Sequence, residues 1–166
     1  AYEVERWEPA GNSYVSVKVP SLSTSNDCLW AYWGRTNTAA PGYTTNGAVW
    51  DSDYVGVWHL SEGPAPGGWH YDSTAWDNDG TFTDADGDSL TGVTGVVARA
   101  DQMNGDADGT WVANAPELNP TNALTLEAWA KNLMPLWDRE YQFAGKQSAF
   151  AIGGNNWSKN IRFRLN

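Results

Sequence analysis

Sulfur, positive charge and histidine are all scarce in this chain. A single cysteine, Cys28, stands among 166 residues, so no intrachain disulfide can form and a disulfide-stapled scaffold is excluded. Aromatic residues and no histidine lie beside it, the setting of an inert core thiol rather than of a nucleophile. Lys and Arg number 10 against 20 Asp and Glu, and the formal net charge of -10 speaks against nucleic acid and suits neutral ligands or cations. The only histidines are His59 and His70, so a zinc site would need a third ligand from the aspartates, and no spacing demands one. No apolar run approaches the roughly 18 residues of a membrane helix. No charged-then-apolar leader opens the chain.

Aromatic, glycine and acidic residues are abundant instead. The 17 glycines and 8 prolines cut the chain into short runs, and 11 tryptophans are more than a core of this size needs. Tryptophan combines a broad apolar face with one donor, which suits recognition surfaces. The length allows one large domain, or one domain and a small partner, with a substantial core.

Two-residue alternation marks Tyr2-Val4-Arg6, Tyr14-Val15-Val17-Val19 and Leu29-Trp30-Ala31-Tyr32-Trp33, with turn chemistry at residues 9–12 and 20–27 between them. These runs predict an antiparallel N-terminal β segment over residues 1–50, its last part, 34–50, a linker or long crossing loop. Residues 51–81 open on the alternating Tyr54, Val55, Val57, Trp58 and Leu60, pass through a Pro/Gly loop and close on a dense set of aspartates. A strand ending in a polar, aromatic-lined loop is expected there. Further on, alternation puts Leu124, Leu126, Ala128 and Ala130 on one face and Thr125, Glu127, Trp129 and Lys131 on the other. Apolar groups on both faces predict an interior strand. Residues 143–152 and 161–165 read as the next two strands, with a turn at 153–157. Both ends of the chain read as cut points.

Three phrases carry a resemblance. Residues 51–81, with Val57-Trp58-His59-Leu60 leading to Asp72-Ser73 and Asp79-Gly80-Thr81, resemble the first strand and loop of the laminin-G-like, concanavalin A-type jelly rolls of bacterial secreted proteins. Residues 124–131 resemble the core strand of the same family. The stretch from Val17 through Trp30-Ala31-Tyr32-Trp33-Gly34 resembles the latter half of a bacterial domain of unknown function that commonly precedes such jelly rolls. The resemblance implies an all-β chain, an antiparallel β-sandwich of concanavalin-like jelly-roll type over 51–166, truncated at its C-terminus and preceded by part of the other domain over 1–50. It also implies an extracellular or cell-surface location in an exported multidomain protein, and a hairpin turn at 104–109, where Asp101-Gln102-Met103 departs from the family's aromatic-rich strand. Too few strands follow residue 51 to complete the jelly roll, so, if the chain is whole, a sheet edge is expected to be covered by the N-terminal strands or by a neighbouring molecule through self-association. Enzymes on such sheets carry Glu-x-Asp-x-(x)-Glu on one strand. That string is absent, Glu127 is the only strand acid, and a glycoside hydrolase fragment ranks third.

Two kinds of site remain. Asp84, Asp86 and Asp88 alternate, so an extended backbone puts three carboxylates on one side, which suits Ca²⁺; a solvated acidic loop is the alternative. The EF-hand pattern fails, with Ser89 where Gly is needed and Gly95 in place of the bidentate Glu. Asp72 either caps a turn or joins Asp77 or Asp79 on a structural Ca²⁺. Carbohydrate binding needs aromatic faces flanked by hydrogen-bonding side chains. Trp69, Tyr71 and Trp76 flank Asp72, Asp77, Asn78 and Asp79; Trp137 and Tyr141 flank Asp138, Arg139 and Gln142; Trp157 sits beside Asn155 and Asn156. A glycan-binding module, stacking sugars on these loop aromatics, is the expected function, and a structural or adhesive assembly module is the alternative.

Overall fold

The computed structural model describes residues 1–63, 68–84, 92–103, 108–131, 140–155 and 160–165. The described residues are all-β: ten short strands and two 3-10 turns, Gly42–Thr44 and Pro116–Leu118, with no α-helix among them. They fall into two compact units, Ala1–Leu118 and Asn119–Asn166.

In the first unit β1 (Tyr2–Arg6) and β2 (Tyr14–Val17) form a hairpin through the expected turn, with Val4 opposite Val15 and a bulge between Val4 and Arg6. β3 (Trp69–His70), β4 (Gly80–Thr83) and β7 (Gly109–Val112) make a three-stranded antiparallel sheet in the order β3-β4-β7. β5 (Gly92–Thr94) and β6 (Arg99–Asp101) make a second hairpin. The second unit is an antiparallel sheet of β8 (Glu140–Lys146), β9 (Phe150–Asn155) and β10 (Asn160–Leu165), with β9 in the middle.

Burial along the central sheet follows the pleat. His70, Gly80 and Phe82 are buried, and Thr110 and Val112 join them on the same face. Trp69, Thr83 and Trp111 face outward. Such alternation is the signature of an antiparallel sheet packed on one side only. Gly80 is required at its crossing, because a Cβ there would overlap the Thr110 methyl. Few apolar side chains are buried among the described residues, namely Val49, Phe82, Ala98 and Ala151, so polar contacts carry much of the first unit.

Glu3 shows how. Its carboxylate accepts from the Trp50 indole at 3.1 Å and the Ser73 hydroxyl at 2.7 Å, tying β1 to two segments far along the chain. Residues 1–50 and 51–118 are thereby one compact unit.

Five expectations need correction. The run from Tyr54 to Leu60 is not a continuous strand: it forms one bridge, Trp58 to Asp72, and ends with Leu60 at φ 54°. Side chains have taken the place of a strand partner, since the Val57 amide donates to Asp72 and the Val55 carbonyl accepts from Asn78. Residues 29–33 and 124–131 have strand periodicity but no ladder partner among the described residues, and Trp30, Tyr32, Trp33 and Trp129 are exposed. Periodicity sets which way side chains point; pairing decides whether a strand exists. Cys28 is exposed rather than in a core, its thiol donating to the Asn26 carbonyl. Residues 143–152 are two strands, broken where Ser148 takes φ 62° and the Ala149 amide returns to the Lys146 carbonyl at 3.1 Å.

Phe82 is 1 % exposed and is the largest apolar side chain fully buried among the described residues. Truncation by Phe82→Ala is expected to cost about 3–5 kcal/mol of stability. Thr83→Ala, on the outward face, is expected to stay within about 0.5 kcal/mol of the parent. Urea midpoints at unchanged m-value measure both.

Candidate functional site

The outward face of the β3-β4-β7 sheet brings two tryptophans into one row. Trp69 pairs with Thr81, and Thr81 pairs with Trp111, so the three side chains stand side by side across three strands. Two strand spacings put the indoles' backbones about 10 Å apart. Both indoles are more than half exposed, at 53 % and 63 %, and neither packs against another ring among the described residues. Tyr71, two residues beyond Trp69 and also exposed, carries the apolar surface past the end of β3. The smaller Thr81 stands between the two indoles in this register.

The reverse side of the same strand is electrostatic. His70 is 1 % exposed and lies between two carboxylates: Nδ1 is 3.1 Å from Glu62 Oε2, and Nε2 is 2.8 Å from Asp101 Oδ2 on β6. The second pair is close enough for an ion pair, although it is not aligned as a straight hydrogen bond. The Asp101 carboxylate chiefly, helped by Glu62 and opposed by burial, raises the imidazole pKa above its ordinary 6.5. Phe82 packs edge-on against the ring at 6.0 Å. With both nitrogens engaged and no solvent access, His70 is placed to hold β3, β6 and the Glu62 loop together rather than to exchange protons with a substrate. His59 has a parallel setting, with Nδ1 3.3 Å from Glu5 and Nε2 3.6 Å from Glu3.

The aspartate-rich loop after β3 is organised by Asp72, which is 7 % exposed. Its Oδ1 accepts from the Val57 and Thr74 amides at 2.8 and 3.0 Å, and its Oδ2 from the Thr74 hydroxyl and the Asn78 amide at 2.7 and 3.0 Å. Four donors fill the roughly four acceptor positions of a carboxylate. Asp79 in turn accepts from the Asp72 amide at 2.9 Å. Asp72 is therefore a loop cap, and its oxygens do not fit a metal ion as well. Trp76 rides on this loop, 45 % exposed, its amide held by the Thr74 hydroxyl.

The other candidate residues belong to the second unit, follow β4, or lie outside the described residues. Tyr141 lies in β8 of the second unit, half-buried and ring-packed on Phe143 at 5.1 Å, beside a groove that also includes Gly153, Gly154 and Phe163. Asn155 closes β9, its backbone between Glu140 and Asn160. Asp84 follows β4 directly and is half-buried. Trp137, Arg139, Trp157, Asp86 and Asp88 lie outside the described residues. Among the described residues no group of three or more His, Cys, Asp or Glu is arranged to hold a metal ion. Trp111 was not among the sequence candidates. Its alternation in Gly-Thr-Trp-Val shows an outward side chain, but only the strand pairing reveals Trp69 beside it.

Searches against family models, curated proteins and solved structures find no match to this chain. No described helix is long and apolar enough to cross a membrane.

The buried imidazolium makes a stability prediction with a definite sign. A pKa raised on folding gives stability that is full below the unfolded value, near 6.5, and is lost as pH rises through the folded value. His70→Gln, which leaves Asp101 buried without its cation, is expected to cost about 3–5 kcal/mol at mildly acidic pH. The gap in melting temperature between parent and variant should narrow steadily from pH 6 toward pH 9, as read by circular dichroism.

Proposed function

We propose that the chain is a non-catalytic glycan-binding module, with the outward face of β3-β4-β7 as its sugar platform. The observation that carries this reading is the Trp69–Thr81–Trp111 row. Two exposed, separated indoles on one sheet face offer stacking faces to the apolar sides of two sugar rings, and Thr81 offers a hydroxyl between them. The spacing of about 10 Å is roughly that of a disaccharide unit, so an extended polysaccharide suits it better than a single sugar. Desolvating the indoles supplies affinity, and a face already held in place by His70 behind it loses little entropy on binding. The architecture proposed behind this face is a concanavalin-like jelly roll of an exported protein, supported by the antiparallel pairing and by the resembling phrases. Calcium in this proposal is confined to the acidic loop of Asp84, Asp86 and Asp88, without Asp72.

Affinity electrophoresis through gels containing xylan, glucans, mannan and polyuronates tests the platform. At least one polysaccharide should retard the protein, and Trp69→Ala and Trp111→Ala should each weaken that binding about tenfold or more, equivalent to about 1.4 kcal/mol. Free migration in every gel would refute the proposal. A chelator that leaves retardation unchanged would remove calcium from it.

One observation favours a second reading, an assembly module. Leu29, Trp30, Tyr32 and Trp33 are 66 %, 79 %, 90 % and 74 % exposed in a stretch with strand periodicity and no described ladder partner. Such a segment can add to an open sheet edge of a second copy. That reading expects an apparent mass in light scattering that rises with concentration and is abolished by Trp30→Lys. A monomer at all concentrations would dismiss it.

A further inference from the structure

Arg99 is a cation without an ion-pair partner among the described residues, and it lines a cleft of about 420 Å³. The cleft also includes Arg6, Ser61, Thr94 and Glu5. Arg99 stands opposite Thr94 in the β5-β6 hairpin, one pleat repeat from Asp101 on the same hairpin face. Its guanidinium lies over two glycines. A Cβ at Gly92 would overlap it, and a Cβ at Gly63, itself at φ 84°, would come within 3.3 Å of Nη2. A larger side chain at Gly92 would displace the fork, and one at Gly63 would crowd it.

The carboxylates around it are already engaged. Asp101 and Glu62 face His70, and Glu62 also accepts from the Tyr71 amide at 3.3 Å. Glu5 accepts from the Ser16 hydroxyl and faces His59. Among the described residues Arg6 pairs only with Glu8, at 3.4 Å on the exposed surface, a pairing of small worth. The hydroxyls of Ser61 and Thr94 are bonded to no other described residue. The cleft therefore presents two guanidinium groups and two hydroxyl donors beside the Glu5 carboxylate, which is engaged by Ser16 and faces His59. Backbone strain borders the same place, with Ala98 buried at φ 55° on the cleft wall and Leu60 at φ 54° beside Ser61.

We propose that this cleft is an oxyanion subsite that takes the carboxylate or sulfate group of an acidic glycan, with Arg99 as its anchor. A planar fork suits both oxyanions in bidentate geometry. The glycan part rests on the platform reading above; the oxyanion part stands on the cleft itself. The acidic surface elsewhere acts at long range and is screened beyond about 8 Å at physiological salt, so the short-range fork decides.

Isothermal titration of the full chain at physiological salt tests this with four probes: a uronic-acid hexasaccharide, a sulfated hexasaccharide, a neutral hexasaccharide and inorganic sulfate. The parent should bind at least one acidic probe more tightly than the neutral one. Arg99→Gln should reduce acidic-probe affinity about tenfold or more and leave neutral-probe affinity unchanged, with an unaltered circular dichroism spectrum confirming the fold. Arg99→Lys, which keeps the charge but not the fork, should fall between. Preference for the uronate or for the sulfate ester identifies which oxyanion is served. Equal affinity of parent and Arg99→Gln for both acidic probes, or no binding of any anionic probe, overturns the subsite. Acidic-sugar binding that is lost in Trp111→Ala but kept in Arg99→Gln would uphold the platform and overturn the subsite. Arg99-dependent binding of inorganic sulfate without binding of any sugar would uphold the subsite and overturn the platform.

Discussion

The buried His70, held between Glu62 and Asp101, is the constraint on which the first unit turns. It stands on β3, a strand of two residues that could not hold its place by ladder bonds alone, and it fixes that strand to β6 and to the loop carrying Glu62. Because side chains alternate across a strand, fixing His70 inward fixes Trp69 outward. The exposed indole face is thus the other side of an ion-pair cluster. An apolar residue at this place could pack, but it would leave Asp101 buried without a counter-charge.

Polar side chains do the same work throughout the unit. Asp72 gathers four donors from residues 57–78, Glu3 joins β1 to Trp50 and Ser73, and Asn78 accepts the Trp58 indole on its carbonyl at 2.9 Å. These networks satisfy backbone groups that a longer sheet would pair, and this is how a chain with short strands keeps ordered loops. They also give Asp72 and Asp79 structural roles in the aspartate-rich sequence between Tyr71 and Gly80. An exposed version of the device appears at Asp27, where the Thr24 and Ser23 amides and their hydroxyls lower the carboxyl pKa to about 2.

Much of this was legible in the sequence, and the exceptions have physical causes. The alternation of residues 2–6 and 14–17 and the Pro9-to-Asn12 turn announce the first hairpin, which forms as expected. The strand class of the whole chain follows from the same pattern. Tyr54 to Leu60 misleads because its period is right while Asp72 and Asn78, many residues away, claim its backbone groups. Residues 124–131 mislead because a two-faced apolar pattern fits any half-buried segment. In the candidate site, Trp69, Tyr71 and Trp76 were visible as exposed loop aromatics. Trp111 was not, because its neighbour across the sheet is set by register, a long-range property that local pattern does not encode. Arg99 was silent for the same reason: its place depends on glycines at 63 and 92 that meet only in the folded chain.

In the proposed function the outward face of β3-β4-β7 meets the ligand. With 11 indoles in the chain, an isotope-labelled sample gives each N–H its own reporter, and a two-dimensional proton–nitrogen spectrum follows them all during titration with a retained oligosaccharide. The indole signals of Trp69 and Trp111 are expected to move together and saturate with one binding constant, while those of Trp30 and Trp33 stay in place. Shifts confined to Trp30 and Trp33, or still signals at Trp69 and Trp111 under saturating ligand, would contradict it.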